Sequence, residues 1–466
     1  MTPRTLAWIA HATGGHLLGE DRTVDALATD TRALPQGGAP LFVALTGERF
    51  DGHDHAAAAI AGGCAAALVA RDAGIDAPQV VVADTQRALA DLAAAVQLQR
   101  TRTKVVAITG SNGKTSVKTL AAAVLAQAGS THATPGNRNN EIGLPLAVLE
   151  APDDADFAIY EMGTGAPGDI AYLTAVAAPD VALVNNVAPA HLERMGSLLE
   201  IANTKAAVYD DLRAGGIAVV NADDAFAEYF VARAGTHAVV RFGLDGDAEV
   251  TARDIAADAD GSRFTLVTPR GEAAVALAMP GRHNVRNALA AAAIGHALGM
   301  GVEAIAAGLA AARPVQGRLL SHVLQGGVVL VDDSYNANPG SLAAAIETLA
   351  GSGDEAWLVL GDMRELGADE AALHAQVGTQ AKAAGIARLH ALGPLSLHAA
   401  EAFGDGAVHH ATHEALAEAL AAELQQRDPR GGLRVLVKGS RGSAMDRIVR
   451  ALLQRDAGAK GDADAA

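Results

Sequence analysis

VVAITGSNGKTSVKTLAAAVLAQAG, residues 105–129, decides the fold. Five apolar or β-branched residues run into a glycine-bounded turn, Gly110-Ser111-Asn112-Gly113, and a helical pattern starts at once from Lys114. Strand, glycine turn and helix in that order open an α/β unit built on a parallel sheet. The turn also carries chemistry. Backbone N–H groups at a helix N-terminus point outward with partial positive charge, and glycines let a phosphate approach them closely. Lys114 can reach the outer phosphates of a nucleotide, and the hydroxyl of Thr115, with Ser116 beside it, can meet Mg²⁺. The common spacing is G-x-x-x-x-G-K-[ST]. Here Ile108 stands where its first glycine would fall, so the loop is a shortened variant beginning at Gly110.

The alternation continues on both sides of this unit. LFVAL (41–45) and QVVVA (79–83) read as buried strands, and Thr85–Gln99 reads as a helix capped by Asp84. The charged stretch RTRTK (100–104) reads as a linker. Downstream, DFAIYE (156–161), VALVNNV (181–187) and GIAVVNA (216–222) are further strands. Residues 236–280 suggest a small antiparallel insertion, and a helix resumes near His283. A second α/β unit begins near Gly317-Arg318, with strands at 327–333, 356–362, 388–393 and 434–440. We therefore expect an α/β protein with an N-terminal domain over 1–103, a central phosphate-loop domain over 104–316, a Rossmann-like C-terminal domain over 317–454 and a disordered tail over 455–466. The length of 466 residues independently suggests about three domains.

Composition narrows the function classes. Thirty-six basic and 53 acidic residues leave a net charge of −17, which disfavours nucleic acid and anionic lipid as partners. The single cysteine, Cys64, can build neither an internal disulfide nor a cysteine metal cage. The N-terminus lacks the pattern of a signal peptide, and no long apolar run suggests a membrane span. The expected compartment is the cytoplasm.

Several polar residues fall where such a sheet presents its ligand-binding edge. Glu161 ends a strand and could help to hold a metal, and His191 follows another strand. Lys205 lies fourteen residues after His191 in a helical stretch. Asn284 and Asn287, three apart in GRHNVRN (281–287), share a helix face and offer amides suited to an adenine edge. In DDSYNANP (332–339), Asp333 could hold ribose hydroxyls, and Tyr335, with Asn336 next to it, could pack on a base or meet a phosphate. Arg318 at the second boundary is placed to meet a phosphate if the domains close.

Taken in order, these motifs resemble those of the Mur ligase family of ATP-dependent amide-bond-forming enzymes, from about Asp30 to Ala451. The stretch from Thr134 to Pro145, TPGNRNNEIGLP, is similar to that of the branch whose amine substrate is D-alanyl-D-alanine, as are DDSYNANP and LGDMRELG (360–367). The D-N-P-[RA] motif of the diaminopimelate- or lysine-adding branch is missing. That branch, or a folylpolyglutamate synthase-like ligase, is the alternative. The resemblance implies a monomeric enzyme that uses ATP and Mg²⁺ to join D-alanyl-D-alanine to UDP-N-acetylmuramoyl-tripeptide. It implies metal ligation by Thr115, Glu161, His191 and a carbamylated Lys205. It also implies substrate contacts from Thr31 and Arg32 at the uridine end and from Asn137, Asn139 and Asn140 nearer the peptide. Two positions depart from the family pattern. Lys205 is followed by Ala206-Ala207 in place of Gly-Glu, and Glu161-Met162-Gly163 continues with Thr164-Gly165-Ala166 in place of Ala-Asn/Ser-His.

Overall fold

The computed structural model describes residues 1–189, 192–258, 260–427 and 431–464. Its organising element is the strand Lys104–Thr109, five of whose six residues are buried. It pairs in parallel with Phe157–Glu161 on one side and Val181–Val184 on the other. Thr131–Ala133 adds to the first side, and Ile217–Asn221 and Ala238–Phe242 to the second, closing a six-stranded parallel sheet. Strands covered on both faces read as continuous apolar runs, as these do. Because the chain leaves the central strand first to one side and then to the other, a crevice opens beyond its carboxyl end.

Two further sheets flank this one. The N-terminal sheet has five strands in the order His16–Leu18, Gln79–Val81, Ala66–Val69, Pro40–Val43 and Ala26–Ala28, with only the first antiparallel. The C-terminal sheet runs Leu320–Val323, Val328–Asp333, Leu433–Lys438, Glu355–Gly361, Arg388–Leu392 and Ala407–His410, again with an antiparallel first strand. The expected antiparallel insertion is present as Thr251–Ala257, Ser262–Thr268 and Gly271–Leu277. It is shorter than 236–280, because Ala238–Phe242 joins the central parallel sheet instead.

The stretch 100–104 does connect the helix Thr85–Gln99 to the central strand, but its Arg100 is not exposed linker charge and is buried where the first two units meet. Its Nε donates to Asp153 Oδ1 at 2.9 Å, and its two Nη atoms donate to the carbonyls of Val148 and Ala151 at 2.6 and 2.5 Å. A guanidinium tolerates burial when its donors are met in this way. One continuous apolar cluster runs from Leu6 and Val96 in the first unit to Val105, Tyr160 and Phe230 in the second. The tail is likewise ordered further than expected. The last helix spans Asp446–Asp464, held where Arg455 Nη1 donates to the Ala417 carbonyl at 3.1 Å and Gln325 N donates to Asp456 Oδ1 at 2.7 Å. Among the described residues, no helix is long and apolar enough to cross a membrane.

Removing the Arg100 fork takes a charged donor from two buried carbonyls and from Asp153, which keeps only the more distant Arg4 as ion-pair partner. Arg100→Ala should therefore lower the unfolding free energy by about 2–4 kcal/mol, read from urea denaturation. A change below measurement error would show that the packing around Gln97 and Val148 does not depend on the guanidinium.

Candidate active site

The turn 110–113 joins the buried central strand to the helix Lys114–Leu125. Gly113 has φ of 79°, which glycine adopts without steric cost. A Cβ there would lie 2.4 Å from Asn287 Oδ1 and 2.6 Å from Asn185 Nδ2. Neighbouring amides hold the turn in shape. Asn185 Nδ2 donates to the Asn112 carbonyl at 2.9 Å and to Asn287 Oδ1 at 3.1 Å. Asn186 Oδ1 accepts from Asn112 N at 2.8 Å, and Ser111 Oγ bonds both N and O of Ala188 at 3.0 Å. Lys114 Nζ curls back to the Gly110 carbonyl at 2.7 Å. Burial draws its pKa down, Glu161 opposes this, and Arg318 adds to it.

Glu161 ends its strand in register with Ile108, beside the turn. Its Oε2 accepts from the Thr115 hydroxyl at 3.0 Å and faces Lys118 Nζ at 3.1 Å, while Oε1 accepts from Asn139 Nδ2 at 2.8 Å. Burial alone would raise its pKa, but Lys118 and Lys114 outweigh it, and the carboxyl is held below its ordinary range. Lys205 is 2% exposed, and among the described residues it has no hydrogen bond or ion pair. Burial, with the charge of Lys114 added, pulls its pKa well below the usual lysine range.

The C-terminal unit closes the site. Asn338 caps the helix Pro339–Ala350 and donates from Nδ2 to Asn112 Oδ1 at 2.7 Å, tying that helix to the phosphate loop across 226 residues of chain. Arg318 stacks on the Tyr335 ring at 4.4 Å, and Arg441 lies 5.6 Å from the same ring. Lys438 Nζ donates to Asp333 Oδ2 at 2.5 Å and to the Asn336 carbonyl at 3.0 Å. Burial pushes the Asp333 pKa up, against the pull of Lys438. Lys114, Glu161, Lys205, Arg318, Tyr335 and Lys438 line one cleft of about 1000 Å³.

Comparison with known proteins places this architecture. Residues 108–295 match the Mur ligase middle domain, and residues 317–441 match the family described as Mur ligase, glutamate ligase domain. The chain is 45% identical, over 96% of its length and 98% of the relative's, to UDP-N-acetylmuramoyl-tripeptide–D-alanyl-D-alanine ligase of Escherichia coli. The chain belongs to the Mur ligase family. Among solved Mur ligases it is similar to UDP-N-acetylmuramoylalanyl-D-glutamyl-2,6-diaminopimelate–D-alanyl-D-alanyl ligase from Acinetobacter baumannii. The TM-score there is 0.88 at 32% identity, covering 97% of this chain and 98% of that one. MurF ligase from Thermotoga maritima in complex with ADP gives a TM-score of 0.82 at 28% identity, covering 92% and 97%.

Most residues singled out from the sequence meet in the Mur ligase cleft. Gly110, Ser111, Asn112, Gly113, Lys114, Ser116, Asn139, Asn140, Glu161, Lys205, Asn284, Asn287, Arg318, Asp333, Tyr335 and Asn336 all line it, with Thr115 bonded to Glu161 just behind. Asn284 and Asn287 do share a face, and each amide already makes bonds inside the fold. Asn287 donates to Asn284 Oδ1 at 3.2 Å, and Asn284 donates to the Pro280 carbonyl at 2.8 Å. They brace the loop while lining the cleft. Thr31, Arg32 and Asn137 do not line the cleft. Arg32 is exposed in the N-terminal unit, folded onto Asp30 with Nη2 2.6 Å from Oδ2. His191 lies outside the described residues.

Sequence reading missed Lys118, Asn185, Asn186, Asn338 and Lys438. Lys118 had a signal, for it lies one helical turn after Lys114 and so shares its face. Lys438 ends a strand at the ligand edge. Nothing marked the asparagines, whose partners are distant in sequence.

Gly113→Ala should weaken ADP binding at least ~tenfold, about 1.4 kcal/mol, in titration calorimetry, with the circular dichroism spectrum unchanged. Wild-type affinity in this variant would mean that the added Cβ leaves the loop intact.

Proposed function

We infer that this chain is an ATP-dependent peptide ligase that joins D-alanyl-D-alanine to UDP-N-acetylmuramoyl-tripeptide in peptidoglycan precursor synthesis. The observation that carries this reading is the end-to-end similarity to the E. coli ligase of that name, 45% over 96% of the chain. The ADP complex of the T. maritima relative supports ATP as the nucleotide. The site we propose acts in the cytoplasm, in a monomer.

A carboxylate does not acylate an amine in neutral water, so the acid must first be activated. The terminal carboxylate oxygen of the tripeptide attacks the γ-phosphorus of ATP, ADP departs, and an acyl phosphate remains. The free amine of D-alanyl-D-alanine attacks the acyl carbon and loses a proton, and inorganic phosphate leaves. Nearly all of the protein's contribution is positioning and charge. Backbone N–H groups of the 110–115 turn and Lys114 would hold the outer phosphates. Arg318, Asp333, Tyr335 and Asn336 would hold the nucleotide from the C-terminal side, with Asn284 and Asn287 supporting the loop. Thr31 and Arg32 would meet the uridine end, and Asn137, Asn139 and Asn140 the peptide.

The donor set suits Mg²⁺. Glu161 is ionised, it already touches the Thr115 hydroxyl, and hydroxyl and carboxylate oxygens are hard ligands. When bound, the ion neutralises charge developing on the transferred phosphoryl group. His191 would serve a second ion. Lys205 supplies the other support. A buried amine with no counter-ion is costly as an ammonium, and burial draws its pKa down, which favours the neutral form that adds CO₂ to give a carbamate. Carbamylation would turn an unpaired amine into an anion able to orient metal.

Lys114→Ala should abolish phosphate release that depends on both the tripeptide and D-alanyl-D-alanine. Undiminished turnover would remove this loop from the reaction, and turnover without an amine acceptor would point to a plain ATPase. Lys205→Ala should be inactive and partly rescued by formate or acetate. Full activity without added carboxylate would end the carbamate proposal.

A further inference from the structure

Most charged groups of the cleft are matched within the fold. Glu161, Asp333 and Lys438 have the partners described above. Asp169 Oδ2 accepts from Gly165 N and Ala166 N at 2.8 Å, and Arg286 Nε meets Asp223 Oδ2 at 2.9 Å. Besides the buried Lys205 and the ring-stacked Arg318, two exposed charges of opposite sign are not matched. Arg194 and Glu141 both line the cleft, both are exposed, and among the described residues neither makes a hydrogen bond or ion pair, with the other or with any group.

Their placement is specific. Arg194 reaches over the loop after Glu161, its Nη1 3.5 Å from where a Cβ on Gly165 would stand. Glu141 stands two residues after Asn139, whose amide bonds Glu161. The two loops are joined again where Gly163 N donates to the Asn139 carbonyl at 2.7 Å. Arg194 and Glu141 thus stand on segments next to the one that carries Glu161, the pole at which, on the proposed function, the substrate's reacting acid sits.

We propose that Arg194 and Glu141 form a subsite for the free end of the tripeptide's third residue, and that this subsite selects a diamino diacid over lysine. The inference rests on the proposed ligase reaction. In a 2,6-diaminopimelyl residue one carboxyl group is activated and the far end keeps both an ammonium and a carboxylate. Arg194 offers a planar, bidentate match to that carboxylate, and Glu141 offers an anion to the ammonium. A lysyl residue presents only the ammonium, so it leaves Arg194 unpaired. The glutamyl carboxylate, common to both peptides, is the competing occupant for Arg194.

The test compares KM and kcat of the full-length enzyme for the diaminopimelyl and lysyl forms of UDP-N-acetylmuramoyl-tripeptide, with calorimetric binding of each. Wild type should favour the diaminopimelyl form through KM. Arg194→Ala should raise KM for that form ~tenfold or more, the loss of one charge-assisted contact, and leave KM for the lysyl form within about twofold. Arg194→Lys should recover part of the loss. Glu141→Gln should raise KM for both forms. Equal effects of Arg194→Ala on the two peptides would assign the guanidinium to the glutamyl carboxylate and overturn the inference, as would no effect on either. A wild-type enzyme that ligates neither peptide would overturn the proposed function and this subsite with it. Ligation of both, with selectivity unmoved by Arg194→Ala, overturns the subsite alone.

Discussion

A glycine with no room for a side chain governs this molecule. Gly113 sits between the amides of Asn185 and Asn287, and a methyl group there would enter both. Because it is free to take a positive φ, the chain leaves the buried strand Lys104–Thr109, turns, and enters the helix Lys114–Leu125 with its N–H groups facing the crevice. The surrounding asparagines satisfy the turn's other polar groups, so the loop arrives already shaped for an anion. Such preorganisation spares the free energy of ordering the site at the moment of binding. The same turn provides one point of attachment for the C-terminal unit, because Asn338 reaches Asn112.

Charge is distributed around that turn with equal economy. The cations Lys114 and Arg318 line the cleft beside the turn, and behind them the buried carboxylate Glu161 is held below its ordinary range by Lys118 and Lys114 against the effect of burial. Lys205 is the unbalanced element. Its burial without a partner is unfavourable for a plain ammonium, and that imbalance points to further chemistry at its amine.

The strand–turn–helix at 105–129 and the alternation around it were legible because parallel strands and their covering helices have distinct periodicities. The terminal carboxylate of DFAIYE could be placed on the ligand edge for the same reason. What escaped was what depends on contacts between segments far apart in sequence. Arg100 looked like linker charge and is a buried clamp, a difference made by the carbonyls of Val148 and Ala151 some fifty residues on. The amides of Asn284 and Asn287 could be placed on one helix face, but not their bonds to Pro280 and Asn185, which lie on other segments or in the preceding turn. Ala238–Phe242 was taken for part of an insertion, because an edge strand of a parallel sheet has little local signature apart from its neighbour, here Ile217–Asn221.

The apolar cluster shared by the first two units has a mechanical consequence. Leu6, Val96, Val105 and Phe230 belong to one core, so the N-terminal and central sheets form a single stiff body. The C-terminal sheet has separate cores around Leu358 and Val435 and is joined covalently only through the segment after the helix Val302–Ala311. That sheet is tied to the central unit by the hydrogen bond from Asn338 to Asn112 and by the ion pair of Arg434 with Asp260, so the two units meet through polar contacts where the first two share a core.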